Sequence, residues 1–112
     1  MANAPFRMTL QTMLVLQVLL TEPTREVYGL EICEAAGLRS GSIHPILARL
    51  EAAAWLTSHW EDIDPKVEGR PRRRYYQLTS DGVEQARYAI ANARGATARL
   101  VALRPQIDGG AW

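Results

Sequence analysis

The sequence predicts an α+β fold that is mostly α, and three observations carry that reading. Apolar residues recur at helical spacing before Trp55 and again after Thr79; the pattern between them shifts to period two; and Pro23, Gly37 and Gly69 punctuate the blocks where a chain must turn. With 112 residues, 47% of them hydrophobic and 22% charged, the chain suits one domain around a single core. Those proportions exclude disordered and fibrous classes. The longest apolar stretch, Met13 to Leu20, is interrupted by Gln17 and falls far short of the roughly 20 residues that cross a bilayer, so no membrane span is expected. Neither is a secretory signal. The single cysteine, Cys33, excludes an internal disulfide, fits a cytoplasmic location and sits in an apolar helical pattern as a small hydrophobe.

Thr9 is the expected N-cap of helix one, in which Leu10, Met13, Leu14, Gln17, Val18 and Leu20 or Thr21 follow at helical spacing until Pro23 forbids continuation. Leu16 and Leu19 lie partly off that stripe. The helix is therefore apolar around much of its circumference, which predicts one partner inside the domain and one outside. Thr24 is the expected cap of helix two, from about 25 to 36, with Val27, Leu30, Ile32 or Cys33, and Ala36 facing inward. Gly37 ends it by supplying a left-handed residue, and Leu38 returns to the core. Ser40 then caps helix three, whose inner face is Ile43, Leu47, Leu50 and Ala54; Pro45 inside it removes one backbone hydrogen bond and predicts a loosened or bent first turn. A helix, a short glycine turn and a second helix form the arrangement that presents the second helix to a DNA major groove.

After Trp55, Leu56, Ser58 and Trp60 share one face of a strand while Thr57, His59 and Glu61 share the other. A second strand over 72–78 alternates Arg72, Arg74, Tyr76 and Leu78 against Arg73, Tyr75 and Gln77. The two form a hairpin. Its connection, 62–71, holds Asp64-Pro65 and Gly69 and reads as a long exposed tip. Thr79 or Ser80 caps a last helix from about 81 to 103, roughly 35 Å long. Along it Val83, Ala86, Ile90, Ala93, Thr97 and Leu100 advance by threes and fours, the spacing that faces another helix. With Leu16 and Leu19 this seam predicts a homodimer. The expected division is a DNA-binding unit over 1–80, a dimerisation helix over 81–104 and a loose tail over 105–112.

Net charge is only +1, yet Lys66, Arg70, Arg72, Arg73 and Arg74 crowd one short segment against a single acid, Glu68. A focused patch on a balanced chain touches phosphates without holding every polyanion. Lys66, Arg70, Arg72 and Arg73 are the candidate DNA contacts in the wing, because guanidinium forks bind phosphate and suit a narrow groove. Arg74 shares a face with Tyr76 and Leu78 and is expected to pack along the domain with its head in water. On helix three the candidates are Ser40, Ser42, His44 and Arg49, next to backbone N–H groups that favour an anion. The two histidines are separated and the cysteine is single, so no metal, cofactor or catalytic constellation is expected.

Three helices, a hairpin with a basic tip and a terminal helix describe a winged helix-turn-helix. The runs Tyr28-Gly29-Leu30-Glu31-Ile32, then Ser40-Gly41-Ser42-Ile43-His44-Pro45-Ile46-Leu47-Ala48-Arg49-Leu50-Glu51, then Gly69-Arg70-Pro71-Arg72-Arg73-Arg74-Tyr75-Tyr76-Gln77-Leu78-Thr79 resemble the PadR family of bacterial transcription regulators. The resemblance covers Leu10 to about Ile90. It implies a homodimeric repressor whose helix three reads a palindromic operator on double-stranded DNA while each wing holds adjacent backbone. His44 stands where the family commonly has tyrosine before the proline. The single C-terminal helix matches the short members, so the small-molecule control known in part of the family is not carried over and any effector is left unassigned. A winged helix serving only as a protein–protein adaptor is the alternative reading.

Overall fold

The computed structural model describes residues 6–103, with the side chains of residues 97, 98 and 100–103 outside that description. The expected tail over 105–112, and the side chains of Thr97 and Leu100 in the expected seam, therefore lie outside the described residues. Helix α1 spans Leu10–Thr21 and starts where expected, with the Thr9 hydroxyl accepting the Thr12 N–H at 3.1 Å. Its buried side chains are Thr12, Val15, Leu16 and Leu19. Here the sequence expectation is corrected: Leu16 is 0% and Leu19 3% exposed within one chain, so neither is left to face a partner. Helix α1 runs through the middle of the core and spends its off-stripe leucines on a second neighbour inside the same domain.

The segment expected to open helix two is instead a strand, β1, over Val27–Tyr28, and helix α2 covers only Gly29–Ala36. Thr24 is not the cap. Glu31 returns to accept the Tyr28 N–H at 3.1 Å, and this single side-chain contact starts α2 in the absence of a Ser, Thr or Asp cap. Val27 and Tyr28 pair with Tyr76 and Tyr75, a tertiary contact that overrides local helix spacing. Ile32 is the buried residue of α2, whereas Leu30 faces outward at 59% exposure. Gly37 closes the helix at φ 70°, its N–H donating to the Cys33 carbonyl at 2.9 Å.

Helix α3, Ser40–Ala52, buries Ile43, Ile46, Leu47 and Leu50. Its N-cap is Arg39, not Ser40; the Arg39 carbonyl accepts the N–H groups of Ser42 and Ile43 at 3.0 and 3.1 Å. Ala54, placed on the inner face by sequence, lies beyond the helix at φ 62° in the turn into β2 and is exposed. Strand β2, Leu56–Trp60, and strand β3, Arg74–Leu78, pair antiparallel from Leu56 opposite Leu78 to Trp60 opposite Arg74. The sheet thus has three strands in the order β1-β3-β2, with the hairpin extended by the short strand ahead of α2. The tip carries a four-residue helix, α4, over Pro65–Glu68, capped by Asp64 and closed by Gly69 at φ 70°.

Helix α5, Ser80–Leu103, is entered through Thr79, whose hydroxyl accepts the Gly82 N–H at 2.8 Å. Ala86 and Ile90 are 0% and 6% exposed, completing a core with Val15, Leu16, Ile32, Ile43, Leu47, Leu50, Leu56 and Leu78. Each buried Val, Leu or Ile among them contributes on the order of 1.5–3 kcal/mol. The expected seam is corrected at Ala86 and Ile90. They dock α5 onto its own domain.

Candidate nucleic-acid interface

The inner stripe of α3 is apolar and buried, so its other positions are forced outward by the 3.6-residue period. Ser40, Gly41, His44, Pro45, Ala48 and Arg49 are all exposed, and Ser42 is half-buried. Gly41, Pro45 and Ala48 leave little bulk around His44, which lets a groove wall approach the helix closely. None of the side chains of Ser40, Ser42, His44 and Arg49 has a partner among the described residues. No side chain caps the start of α3 and no acid lies in its first turn. Its backbone N–H groups and partial positive charge therefore stay open to an anion.

The wing rises from the β2–β3 ladder beside this face. Glu61, one residue beyond β2, has a side chain 15% exposed and organises the returning strand. Its carboxylate accepts both terminal nitrogens of Arg70, at 2.7 and 2.8 Å, and the Arg73 N–H at 3.1 Å, while its own N–H donates to the Arg73 carbonyl at 2.8 Å. The Arg70 guanidinium first, then the Arg73 N–H, hold the Glu61 carboxyl at a pKa of about 2. Arg70 also donates to the Pro71 carbonyl at 3.3 Å. The expectation that Arg70 grips phosphate is corrected by this geometry: its fork is committed to a carboxylate of its own chain, and it braces the wing.

The other arginines divide. Arg73 lays its guanidinium 4.3 Å from the centre of the Tyr28 ring, tying the wing to the start of α2. Arg74 donates to the Ser58 hydroxyl at 2.8 Å, lies 3.8 Å from the Glu51 carboxylate and sits 5.0 Å over the Trp60 ring, while Ser58 donates to Glu51 at 2.6 Å. It packs along the domain, as its strand face indicated. Arg72 uses only Nε, donated to the Ile63 carbonyl at 2.8 Å, which leaves its two terminal nitrogens open among the described residues. Lys66 is exposed on α4 with its ammonium likewise open. The open cations of the wing are thus Lys66 and Arg72.

On the opposite sheet face His59 donates Nδ1–H toward the Trp60 carbonyl at 3.1 Å and approaches Glu26 through Nε2 at 2.6 Å. Both partners only accept, so the pair favours the imidazolium, and the Glu26 contact raises the His59 pKa above its usual 6.5.

The family model described as "Transcriptional regulator PadR-like family" matches residues 15–88. The chain belongs to this family. That span of the PadR-like chain contains α2, α3, the wing and the first turns of α5. Among solved structures, a PadR family transcription regulator from hypervirulent Clostridium difficile is 21% identical, covering 85% of this chain and 98% of that one at a TM-score of 0.67. MepR, a transcription regulator of the Staphylococcus aureus multidrug efflux pump MepA, is 17% identical over 88% of this chain and 67% of that one, with a TM-score of 0.62. Reduced AbfR bound to DNA is 25% identical over 76% of this chain and 56% of that one, with a TM-score of 0.58. No curated protein matches the chain.

Sequence reasoning missed three residues that brace the PadR-like wing: Glu61, Glu51 and Tyr28. Glu61 was findable. Once the ladder is drawn from Leu56 against Leu78, it falls opposite Arg73. Glu51 and Tyr28 reach the wing from separate helical and strand segments, and no spacing in the sequence joins them to it. Among the described residues no group of three or more His, Cys, Asp or Glu is placed to hold a metal ion, and no helix is long and apolar enough to cross a membrane.

Proposed function

We propose that this chain is a homodimeric, sequence-specific DNA-binding repressor, in which α3 enters the major groove of a palindromic operator and the wing holds the neighbouring backbone. The observation that carries the reading is the outer face of α3: a row of exposed small and polar residues around His44, unpartnered among the described residues, beside a helix start that no side chain caps. Ser42 and His44 supply base-edge or phosphate hydrogen bonds, Ser40 and the helix N-terminus a phosphate seat, and Arg49 a backbone contact. Lys66 and Arg72 add phosphate contacts from the wing, with Arg73 holding the strand that carries them. DNA-bound AbfR, which shares the fold, supports the choice of partner.

The proposed dimer forms through α5, which continues past Ile90, its last buried residue among those described, with Ala91, Asn92, Arg94, Ala96 and Arg99 exposed. Val83 also packs against its own core, so the seam is narrowed to Ala93, Thr97 and Leu100. In this reading residues 1–80 form the DNA-binding unit, 81–104 the dimerisation helix and 105–112 a tail, and the protein works in the cytoplasm.

The test is a mobility-shift titration on the DNA upstream of the protein's own gene against a scrambled duplex. The wild type is expected to prefer its own DNA. H44A and S42A lower that preference, while R72A weakens both duplexes alike. Equal, weak binding of the two duplexes by the wild type, unchanged in H44A, would leave the protein–protein adaptor as the better reading.

A further inference from the structure

Trp60 is the last residue of β2 and is 59% exposed, on the sheet face that otherwise carries the buried Leu56, Tyr76 and Leu78. Burying so large a ring would be the ordinary outcome for an indole. Here one face of the ring is held by the Arg74 guanidinium at 5.0 Å, itself fixed by Ser58 and Glu51, so the ring is an oriented plate and not a loose side chain. Its indole N–H has no partner among the described residues. Beside it lies an open-sided cavity of about 670 Å3 lined by Trp60, Pro65, Pro71 and Arg72.

The lining states what the slot accepts. An indole and two prolines offer C–H and π surface with no competing acceptor, which suits the C–H-rich face of a sugar. Arg72, with Nε anchored on the Ile63 carbonyl, holds two terminal nitrogens at the edge, which suits a phosphate joined to that sugar. Apolar walls with a cation at the rim match one strand of a sugar–phosphate backbone. They match an apolar protein helix poorly, because it would bury the guanidinium unpaired. The slot also continues the open surface formed by Arg72 and Lys66.

We propose that Trp60, with Pro65 and Pro71, is a non-ionic seat for one deoxyribose–phosphate segment of the DNA, and that it positions the wing without reading sequence. The inference rests on the DNA-binding reading above and adds a contact that is insensitive to salt. An indole against a sugar releases no counterion, whereas an arginine on a phosphate does.

Wild type, W60A, W60F and R72A are titrated by fluorescence anisotropy on the protein's own upstream DNA and on a scrambled duplex, over a salt series. W60A is expected to lose about tenfold in affinity on both duplexes with an unchanged slope of log K against log salt. W60F should recover most of the loss, since a phenyl ring keeps the plate. R72A instead flattens the slope by about 1.8 in the proposed dimer, about 0.9 for each wing. In a W112F background, where Trp55 is already 3% exposed, a collisional quencher reports Trp60, and bound DNA should shield it. Far-ultraviolet circular dichroism confirms that each variant folds. Wild-type affinity of W60A, a loss confined to one duplex, a change in slope for W60A, or unshielded Trp60 emission each overturns the seat. Failure of the wild type to bind any duplex overturns the DNA-binding reading, and this inference with it.

Discussion

Gly82 is the residue on which the placement of α5 depends. It lies in the first turn of α5, buried, with its N–H donated to the Thr79 hydroxyl at 2.8 Å. A Cβ there would fall on the Trp55 carbonyl oxygen and lie 2.8 and 2.9 Å from the Trp55 carbonyl carbon and Cα. Those atoms are backbone and cannot rotate aside: the Trp55 N–H donates to the Leu50 carbonyl at 2.9 Å, and the Trp55 carbonyl oxygen accepts the Thr79 N–H at 2.9 Å. Gly82→Ala therefore forces α5 outward by roughly 1 Å in a close-packed interior, loosening Ala86 and Ile90 with it. Overpacking of this kind costs about 2–4 kcal/mol, offset by the ~1 kcal/mol that alanine gains over glycine in a helix. The net loss of about 1–3 kcal/mol lowers the melting temperature by roughly 5–20 °C.

Gly95→Ala in the same helix is the internal control. Its Cβ would meet only the end of the Arg99 side chain at 3.7 Å, ordinary contact, so propensity alone acts and the melting temperature rises by roughly 3–6 °C. Thermal unfolding followed by circular dichroism at several protein concentrations separates these effects from any shift in self-association. A G82A protein that melts at or above the wild type would refute the close approach and with it the docking of α5.

Leu50→Ala, at a fully buried position of α3, should cost about 2–5 kcal/mol, read as a fall in urea midpoint at unchanged slope. Arg70→Ala should lower stability yet leave the salt dependence of DNA binding in place, whereas Arg72→Ala should flatten that dependence with little effect on stability. The reverse pattern would return Arg70 to the DNA. Glu61 has its pKa depressed from 4.5 to about 2, so the stability it lends through Arg70 is fully present above pH 4.5 and is lost as the pH falls through 2. Glu61→Gln should be less stable than wild type at neutral pH, with the difference shrinking across that window; a gap that stays constant in acid would show that the carboxylate's charge is not what braces the wing. His59 has the opposite sign: its raised pKa gives stability that is complete below pH 6.5 and fades as the pH rises through the folded value, a fading that Glu26→Gln should reduce in a pH series of melts, the Trp60 carbonyl remaining as an acceptor.

The helices, the hairpin and the glycine turn were legible in the sequence because each is set by local spacing and local caps: Thr9, Gly37 and the alternation after Trp55 are short-range signals. The illegible parts are those set by distant partners. Val27 and Tyr28 carry helical spacing toward α2, but an empty edge of β3 captures them as a strand. Leu16 and Leu19 looked like spare apolar surface because a single-helix projection cannot show that α1 is covered by α2, α3 and α5 together. The outward face of α3 was legible for the converse reason. Once Ile43, Leu47 and Leu50 are assigned inward, His44 and Arg49 have nowhere to go but out.

The arginine cluster shows how a local reading overcounts. Five basic residues between Lys66 and Arg74 suggest several phosphate contacts per wing, yet three of the arginines are spent inside the chain: Arg70 on Glu61, Arg73 on Tyr28 and Arg74 on Ser58 and Trp60. Among the described residues Lys66 and Arg72 remain open. In the proposed dimer the two wings then contribute about four phosphate contacts, a slope of about −3.6 in log K against log salt, where twice as many contacts would give about −7. Between 50 and 200 mM salt those slopes predict wing-dependent losses of about 150-fold and about 20,000-fold respectively. The difference between wild type and a Lys66→Ala, Arg72→Ala double variant in the same salt series measures this contribution directly. A further flattening of about 3.6 when Arg70→Ala and Arg73→Ala are added to that double variant would mean that Arg70 and Arg73 let go of Glu61 and Tyr28 when DNA arrives, and that the wing is rebuilt on binding.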